Sequence, residues 1–201
     1  MGSRQGHDNW DEQYAVDVPP PWEIGGPQPA LAALVGRISL EGPVLDAGCG
    51  TGELAILIAE RGYQVVGLDC SRRAIDTART KAADSALDIE FLVGDAERLE
   101  DLPVRPRTVF DSGLLHNLDE GGRRAYLRGL TAICAPGAVV HILAVADEAG
   151  PGWDLTPKAL NQLFPAPHWV DTTVDTADVL ANVDGEELHL PAFLLSTRRA
   201  T

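Results

Sequence analysis

The chain has 201 residues, 45% of them hydrophobic, and a formal charge of −14 at pH 7. That length suits one α/β domain with a full core, and the composition is that of an ordinary globular chain, not a disordered one. So acidic a balance disfavours nucleic acid and anionic membrane surfaces, and the arginine pairs at 72–73, 105/107, 123–124 and 198–199 are too scattered to form a basic patch.

No stretch approaches the ~20 apolar residues of a membrane span. "MGSRQGHDNW" lacks the apolar core of a secretion signal, so a cytoplasmic protein is expected. Cys49, Cys70 and Cys134 are odd in number and widely spaced, which fits reduced thiols better than a disulfide framework or a zinc knuckle.

Residues 1–28 read as an N-terminal arm containing the proline-rich "VPPPWEIGGPQP", and residues 29–201 as a single domain. A helix is expected from Pro29 over "PALAALVGRIS", with proline in its first turn. Strand "PVLDAG" and helix "TGELAILIAERG" follow, the helix closing on Gly62. Strand "YQVVGLD" leads into helix "SRRAIDTARTKAA" with Ser71 as its N-cap. Strand "DIEFLVGD", the connection "AERLEDLPVRP" and strand "TVFDSG" come next. Then come a helix capped by Asp119, strand "GAVVHILAVAD" and a short helix capped by Thr156. Such alternation implies a parallel sheet with crossover helices. After it, "HWVDTTVD" and "EELHLPAFLLSTRR" read as strands, joined by "TADVLANVDG". That connection is too short for a crossover helix, so the two are expected to pair antiparallel.

The glycine turn "DAGCGTGE" decides which nucleotide the sheet binds. A dinucleotide fingerprint G-x-G-x-x-G would need glycine at position 53, but the chain has Gly48, Gly50 and Gly52 followed by Glu53. A pyrophosphate wants bare amides at a helix N-terminus, and Glu53 with Asp46 would repel it. A cationic ligand without phosphate has the reverse preference. Asp69 ends the second strand, where a carboxylate can accept both hydroxyls of a ribose.

Together, "VLDAGCGTG", "VVGLDCS" and "FLVGDAERL" resemble the cofactor motifs of class I S-adenosylmethionine-dependent methyltransferases, in the right order and at the right strand ends. The resemblance runs from about Trp10 to the C-terminus. It implies a Rossmann-like α/β fold with a mostly parallel seven-stranded sheet and a C-terminal antiparallel hairpin. It also implies that the cofactor is S-adenosylmethionine and the product S-adenosylhomocysteine. Carried onto this sequence, the methionine part falls to Asp46, Gly48 and Gly50, the ribose to Asp69 with Cys70 beside it, and the adenine to Asp95 and Ala96.

The arm, with Trp10, Tyr14 and Trp22, resembles the N-terminal segment of the thiopurine, thiol and halide methyltransferase group. As a lid it would bring Trp22 near a cationic sulfonium, and Gln28 near the methionine carboxylate or the acceptor. In "TVFDSGLLHNLDE", His116 and Asp111 are the candidate bases for an acceptor hydroxyl, thiol or ring nitrogen. His141 reads as a strand residue.

The D/N-P-P-Y signature of amino-group and nucleic-acid methylation is missing, and no cluster suited to magnesium appears. The expected function is therefore direct methyl transfer to a small-molecule acceptor, without nucleic acid, membrane or metal, by a monomer or homodimer. A biosynthetic O- or N-methyltransferase and a catalytically silent cofactor-binding protein are the alternatives.

Overall fold

A computed structural model describes residues 7–15 and 19–201, so part of the predicted arm, Met1–Gly6 and 16–18, lies outside the described residues. In chain order the elements are α1 (His7–Gln13), α2 (Pro29–Arg37), β1 (Val44–Ala47), α3 (Glu53–Glu60), β2 (Val65–Asp69), α4 (Arg72–Asp84) and β3 (Glu90–Val93). They continue with β4 (Thr108–Ser112), α5 (Glu120–Ile133), β5 (Val139–Val145), α6 (Pro157–Leu163), β6 (Trp169–Val183) and β7 (Glu186–Arg199). Short 3-10 turns follow β3, β4 and β5 at Ala96–Asp101, Leu115–Asn117 and Asp147–Ala149.

Because side chains alternate across a strand, each apolar run feeds two cores. Leu45, Leu68, Val109, Val140 and Ile142 face α5 and α6, packing with Tyr126, Leu130 and Leu160. Val44, Val65, Phe110 and Leu143 face the other way, with α2, α3 and α4 supplying Leu31, Leu54, Ile58 and Ile75. The helices start where the sequence places them: Ser71 accepts from the Ala74 amide at 3.1 Å, Asp119 from Gly122 at 2.8 Å and Thr156 from Ala159 at 3.0 Å.

The sheet order is β3-β2-β1-β4-β5-β7-β6, parallel from β3 to β5, with β7 running antiparallel to both β5 and β6. Since β1 crosses to β2 on one side and the chain returns to β4 on the other, the carboxyl ends of β1 and β4 flank a crevice. Among the described residues no helix is long and apolar enough to cross a membrane.

Two elements differ from the sequence expectation. Residues 176–185 are not a connector: β6 continues to Val183, and the chain reverses at Asp184 and Gly185, with φ of 55° and 83°. A two-residue turn with both residues left-handed matches the twist of paired strands, and Asp-Gly is the sequence that tolerates it. Helix α1 in the arm was not expected, and it is held from outside by α4, as described below. The hairpin also overhangs the sheet. β7 pairs with β5 as far as Ala192, with one further bond from the Ala146 amide to the Pro191 carbonyl at 2.8 Å, while Glu186 to Leu190 pair with β6 alone, beyond the end of β5.

Gly67 in β2 lies under the glycine turn. A Cβ there would stand 2.6 Å from the Phe91 ring and 3.0 Å from the Cys49 sulfur. Gly67→Ala is therefore expected to destabilise the fold by about 1–3 kcal/mol through overpacking, read as a lower urea midpoint at unchanged slope.

Candidate functional site

At the crevice, β1 and β4 run in register, Asp46 opposite Phe110 and Ala47 opposite Asp111. The two aspartates therefore sit one step apart on adjacent strands and face opposite sides of the sheet. Asp46 is 1% exposed, and neither carboxyl oxygen makes a hydrogen bond. Burial pushes its pKa up to about 7, with the charges of Asp111 and Asp69 adding to the effect; the nearby Ala55 amide, outside hydrogen-bond geometry, pulls it down. A buried carboxyl without a partner is costly, and such groups in crevices mark sites that await a ligand.

The turn after β1 is shaped for close approach. Gly48 and Gly50 have φ of 72° and 52°. A Cβ on Gly50 would lie 3.0 Å from the Tyr14 hydroxyl and 3.4 Å from Glu23. Asp69 ties this turn to the next one: Oδ2 accepts from the Gly50 amide at 2.9 Å and Oδ1 from the Ser71 amide at 2.8 Å. Burial raises its pKa while those two amides oppose the rise. Cys70 is half-buried, its thiol pushed up to about 12 by burial and then by Asp69. Asp95 opens the turn after β3, accepting from the Glu97 amide at 2.8 Å, with Ala96 buried beside it. The three motifs thus converge on one edge of the sheet.

Sequence reasoning gave Glu53 a repulsive role that the structure revises. Lys81 donates to Glu53 at 2.6 Å and to Thr51 Oγ1 at 2.7 Å, so the charge of Glu53 is matched. The acidic groups at the crevice are Asp46 and Asp69 instead. No sequence signal marks Lys81, which reaches the turn from α4.

The described part of the arm lies over the glycine turn. Asp11 accepts from Ser71 Oγ and the Arg73 amide, both at 2.9 Å, at the start of α4. Glu23 accepts from Thr51 Oγ1 at 2.6 Å, and the Asn182 amide of the hairpin donates to Pro21 at 2.7 Å. Between these anchors, Trp22 Nε1 donates to the Tyr14 hydroxyl at 2.9 Å, and the Trp22 ring sits edge-on to Trp10 with centroids 5.6 Å apart. Tyr14, not Trp22, approaches the turn most closely, and nothing in the sequence ranks one above the other.

Gln28 is placed elsewhere than expected. Its amide donates to the Leu180 carbonyl at 2.9 Å and accepts from the Leu180 amide at 2.8 Å, stitching the start of α2 to β6. Those two bonds are the pattern of a strand neighbour, so Gln28 locks the hairpin rather than facing a ligand.

Both candidate bases also have other work. Asp111 is fully buried and accepts from the Leu114 amide at 2.8 Å and the Leu115 amide at 3.2 Å, holding the turn after β4. Burial lifts its pKa to about 7 against those amides. His116 Nδ1 accepts from the Val145 amide at 3.1 Å, which puts the ring proton on Nε2. Burial, then Arg123, lowers its pKa to about 4. His116 is therefore a neutral hydrogen-bond donor, with its basic nitrogen already engaged. His141 is a buried strand residue, as expected, with Nδ1 2.8 Å from Ser196 Oγ.

Trp153, which sequence reasoning passed over, stands edge-on to His116 with ring centroids 5.0 Å apart. It comes from the loop after β5, and the ion pair that seats it, Arg123 with Asp154, is not visible as a sequence pattern.

Comparison with known proteins agrees with this geometry. A methyltransferase domain family matches residues 44–137. A 2-heptyl-1-hydroxyquinolin-4(1H)-one methyltransferase of Mycobacteroides abscessus is 33% identical over 191 residues, covering 89% of this chain and 83% of its own. A probable thiol methyltransferase 2 of Arabidopsis thaliana is 27% identical, over 73% of this chain and 67% of its own. Among solved structures, one described for conversion of a disulfide bond into a thioacetal group during echinomycin biosynthesis superposes with a TM-score of 0.87 at 37% identity, covering 96% of this chain and 92% of its own. The chain belongs to the class I S-adenosylmethionine-dependent methyltransferases, and its seven-stranded sheet with a reversed final hairpin is the fold of that family.

Held neutral, the His116 ring should show no titration of its carbon-bound protons between pH 6 and 8, and protonate only as pH falls towards 4. Proton NMR of a sample labelled at histidine checks this; a midpoint near 6.5 would return His116 to the list of bases.

Proposed function

We propose that the chain transfers the methyl group of S-adenosylmethionine to a small-molecule acceptor, a thiol, heterocyclic nitrogen or phenolic oxygen, by direct in-line displacement. The observation that carries this reading is the buried carboxyl of Asp46, without a hydrogen bond, beside a turn too tight for side chains. A ligand with fixed positive charge and no phosphate supplies the partner it lacks.

Asp46, Gly48 and Gly50 would hold the methionine part. Asp69 would take the ribose hydroxyls on the lone pairs that Gly50 and Ser71 leave free, with Cys70 alongside. Asp95 and Ala96 would flank the adenine, and Tyr14 with Trp22 would cover the turn. Gln28 is left out, because its amide is spent on Leu180.

When bound, the cofactor supplies an electrophilic methyl carbon on a sulfonium. In-line displacement would form the new bond from the acceptor lone pair to that carbon as the carbon–sulfur bond breaks, leaving its electron pair on sulfur. The proton of a thiol or phenol passes to solvent. Charge disperses in this transition state, so alignment and exclusion of water contribute most of the acceleration. The arm would cover the glycine turn, and Asp111 shapes the turn after β4. His116 offers an N–H to an acceptor atom of the substrate.

The relatives support a small acceptor, since one is a hydroxyquinolinone methyltransferase and another a probable thiol methyltransferase. A biosynthetic role on a sulfur-containing natural product is favoured by the similarity to the echinomycin structure. Calorimetry with S-adenosylhomocysteine, combined with methyl transfer over a panel of thiols and phenols, tests the reading. Tight binding with no turnover on any acceptor would overturn it in favour of a silent cofactor-binding protein.

Asp69→Ala is expected to weaken S-adenosylhomocysteine binding at least about tenfold, through lost charge-assisted bonds. Asp46 yields a pH prediction. Its folded pKa of about 7 lies above the ordinary value of 3.8. The folded chain therefore holds the extra proton, and unliganded stability falls as pH rises through that window. Asp46→Asn should stabilise the unliganded protein above pH 7 by up to a few kcal/mol, on the order of ~1.4 per pKa unit, while weakening S-adenosylmethionine binding. Thermal melts at pH 5 and 8 check the first part; equal effects at both would refute it.

A further inference from the structure

From the geometry we infer that Trp153 and His116 form a right-angled aromatic corner that admits flat aromatic acceptors, and that the Arg123–Asp154 ion pair is the clamp that holds it. The inference rests on the small-molecule reading above and gives it an acceptor class: a planar aromatic ring carrying the atom that is methylated.

Two segments meet here at the carboxyl ends of β4 and β5. His116 follows β4 and is fixed from β5 by the Val145 amide. Trp153 lies half-buried in the loop after β5, its ring at 88° to the imidazole. A flat ring resting on one of these faces receives the edge of the other, the arrangement aromatic groups prefer. With Nδ1 engaged by the Val145 amide, the remaining His116 proton, on Nε2, adds one hydrogen-bond donor beside the Trp153 ring. An added Cβ on neighbouring Gly113 would stand 3.1 Å from the His116 ring, so the backbone there lies close against the imidazole.

Within the loop the Asp147 amide donates to the Leu155 carbonyl at 3.1 Å and the Trp153 amide to the Gly150 carbonyl at 3.4 Å. Gly150 and Gly152 precede Trp153 at φ of 131° and 105°, and the buried Leu155 anchors the far end. Asp154 is the connection between them. Both its oxygens accept from Arg123 at 2.8 Å, in a two-pronged geometry. Arg123 also donates to the Leu115 carbonyl at 3.2 Å and the His116 carbonyl at 3.4 Å. One guanidinium, its side chain only 16% exposed, thus ties α5, the turn carrying His116 and the loop carrying Trp153. A planar fork of donors suits this task in a way an ammonium does not. Arg123 and Asp154 are positioning residues: they touch the corner, not the acceptor.

The test is equilibrium dialysis of 4-hydroxyquinoline against the full chain saturated with S-adenosylhomocysteine, together with transfer to thiophenol and 1-hexanethiol. Trp153→Ala should weaken 4-hydroxyquinoline binding and raise KM for thiophenol, each by about tenfold, leaving kcat and the hexanethiol KM within about threefold. Trp153→Phe should recover most of the loss. Arg123→Met and Asp154→Asn should each shift thiophenol KM in the same direction, and the double variant should be no worse than the poorer single one. S-adenosylhomocysteine affinity should stay unchanged throughout, which reports an intact fold. Asp154 is exposed, so Asp154→Asn tests the clamp even if Trp153→Ala fails to fold. Failure of the native chain to bind 4-hydroxyquinoline, equal effects on thiophenol and hexanethiol, or additive clamp variants would overturn the inference. Binding of the quinoline as expected with no methyl transfer to either thiol or to any other acceptor of the panel would instead sink the transfer reading and leave the corner standing.

Discussion

An aspartate carboxyl buried at the end of β1 without a hydrogen bond is the constraint around which the rest of the site is organised. Folding gains nothing from Asp46: a neutral residue there would be cheaper to bury. Its position follows from the sheet order, because β1 and β4 are the strands between which a doubly wound sheet opens. What surrounds it keeps the charge unanswered. Asp69 spends its oxygens on backbone amides, Lys81 is engaged by Glu53 and Thr51, and Asp111 is turned to the other face. Burial therefore favours the protonated carboxyl in the unliganded chain, and the proposed sulfonium and ammonium ligand would supply the positive partner that the surrounding residues do not.

The arm and hairpin complete a site that the parallel sheet alone leaves open. Glu23, Asp11 and Pro21 attach the arm to three separate segments: the glycine turn, the start of α4, and β6. Gln28 makes the same strand speak to α2. Each bond is modest in worth when partly exposed to solvent. Together they fix Tyr14 and Trp22 above the glycine turn.

Legibility in the sequence followed the range of the interactions. Strands and helices set by local pattern and caps, such as Ser71 with α4 or Asp119 with α5, were readable because their determinants lie within a few residues. The glycine turn and the three strand-end acids were readable because fixed spacing places them on one edge. The Asp184–Gly185 reversal has a legible turn signal, but the polar residues flanking it on an edge strand hide the alternation that continues β6 to Val183. Contacts between distant segments left no trace: Lys81 to Thr51, Gln28 to Leu180, and Val145 to His116. The last of these changes a chemical role, since whether an imidazole accepts or donates is decided by a backbone amide 29 residues away.

The close approach of the Tyr14 hydroxyl to Gly50 has a consequence for how the family can drift. Any side chain at position 50 would press on the phenol, and the φ of 52° there asks for glycine whatever the arm carries. The dependence runs one way, so enzymes that inherit this tyrosine should keep that glycine, whatever acceptors they have come to use.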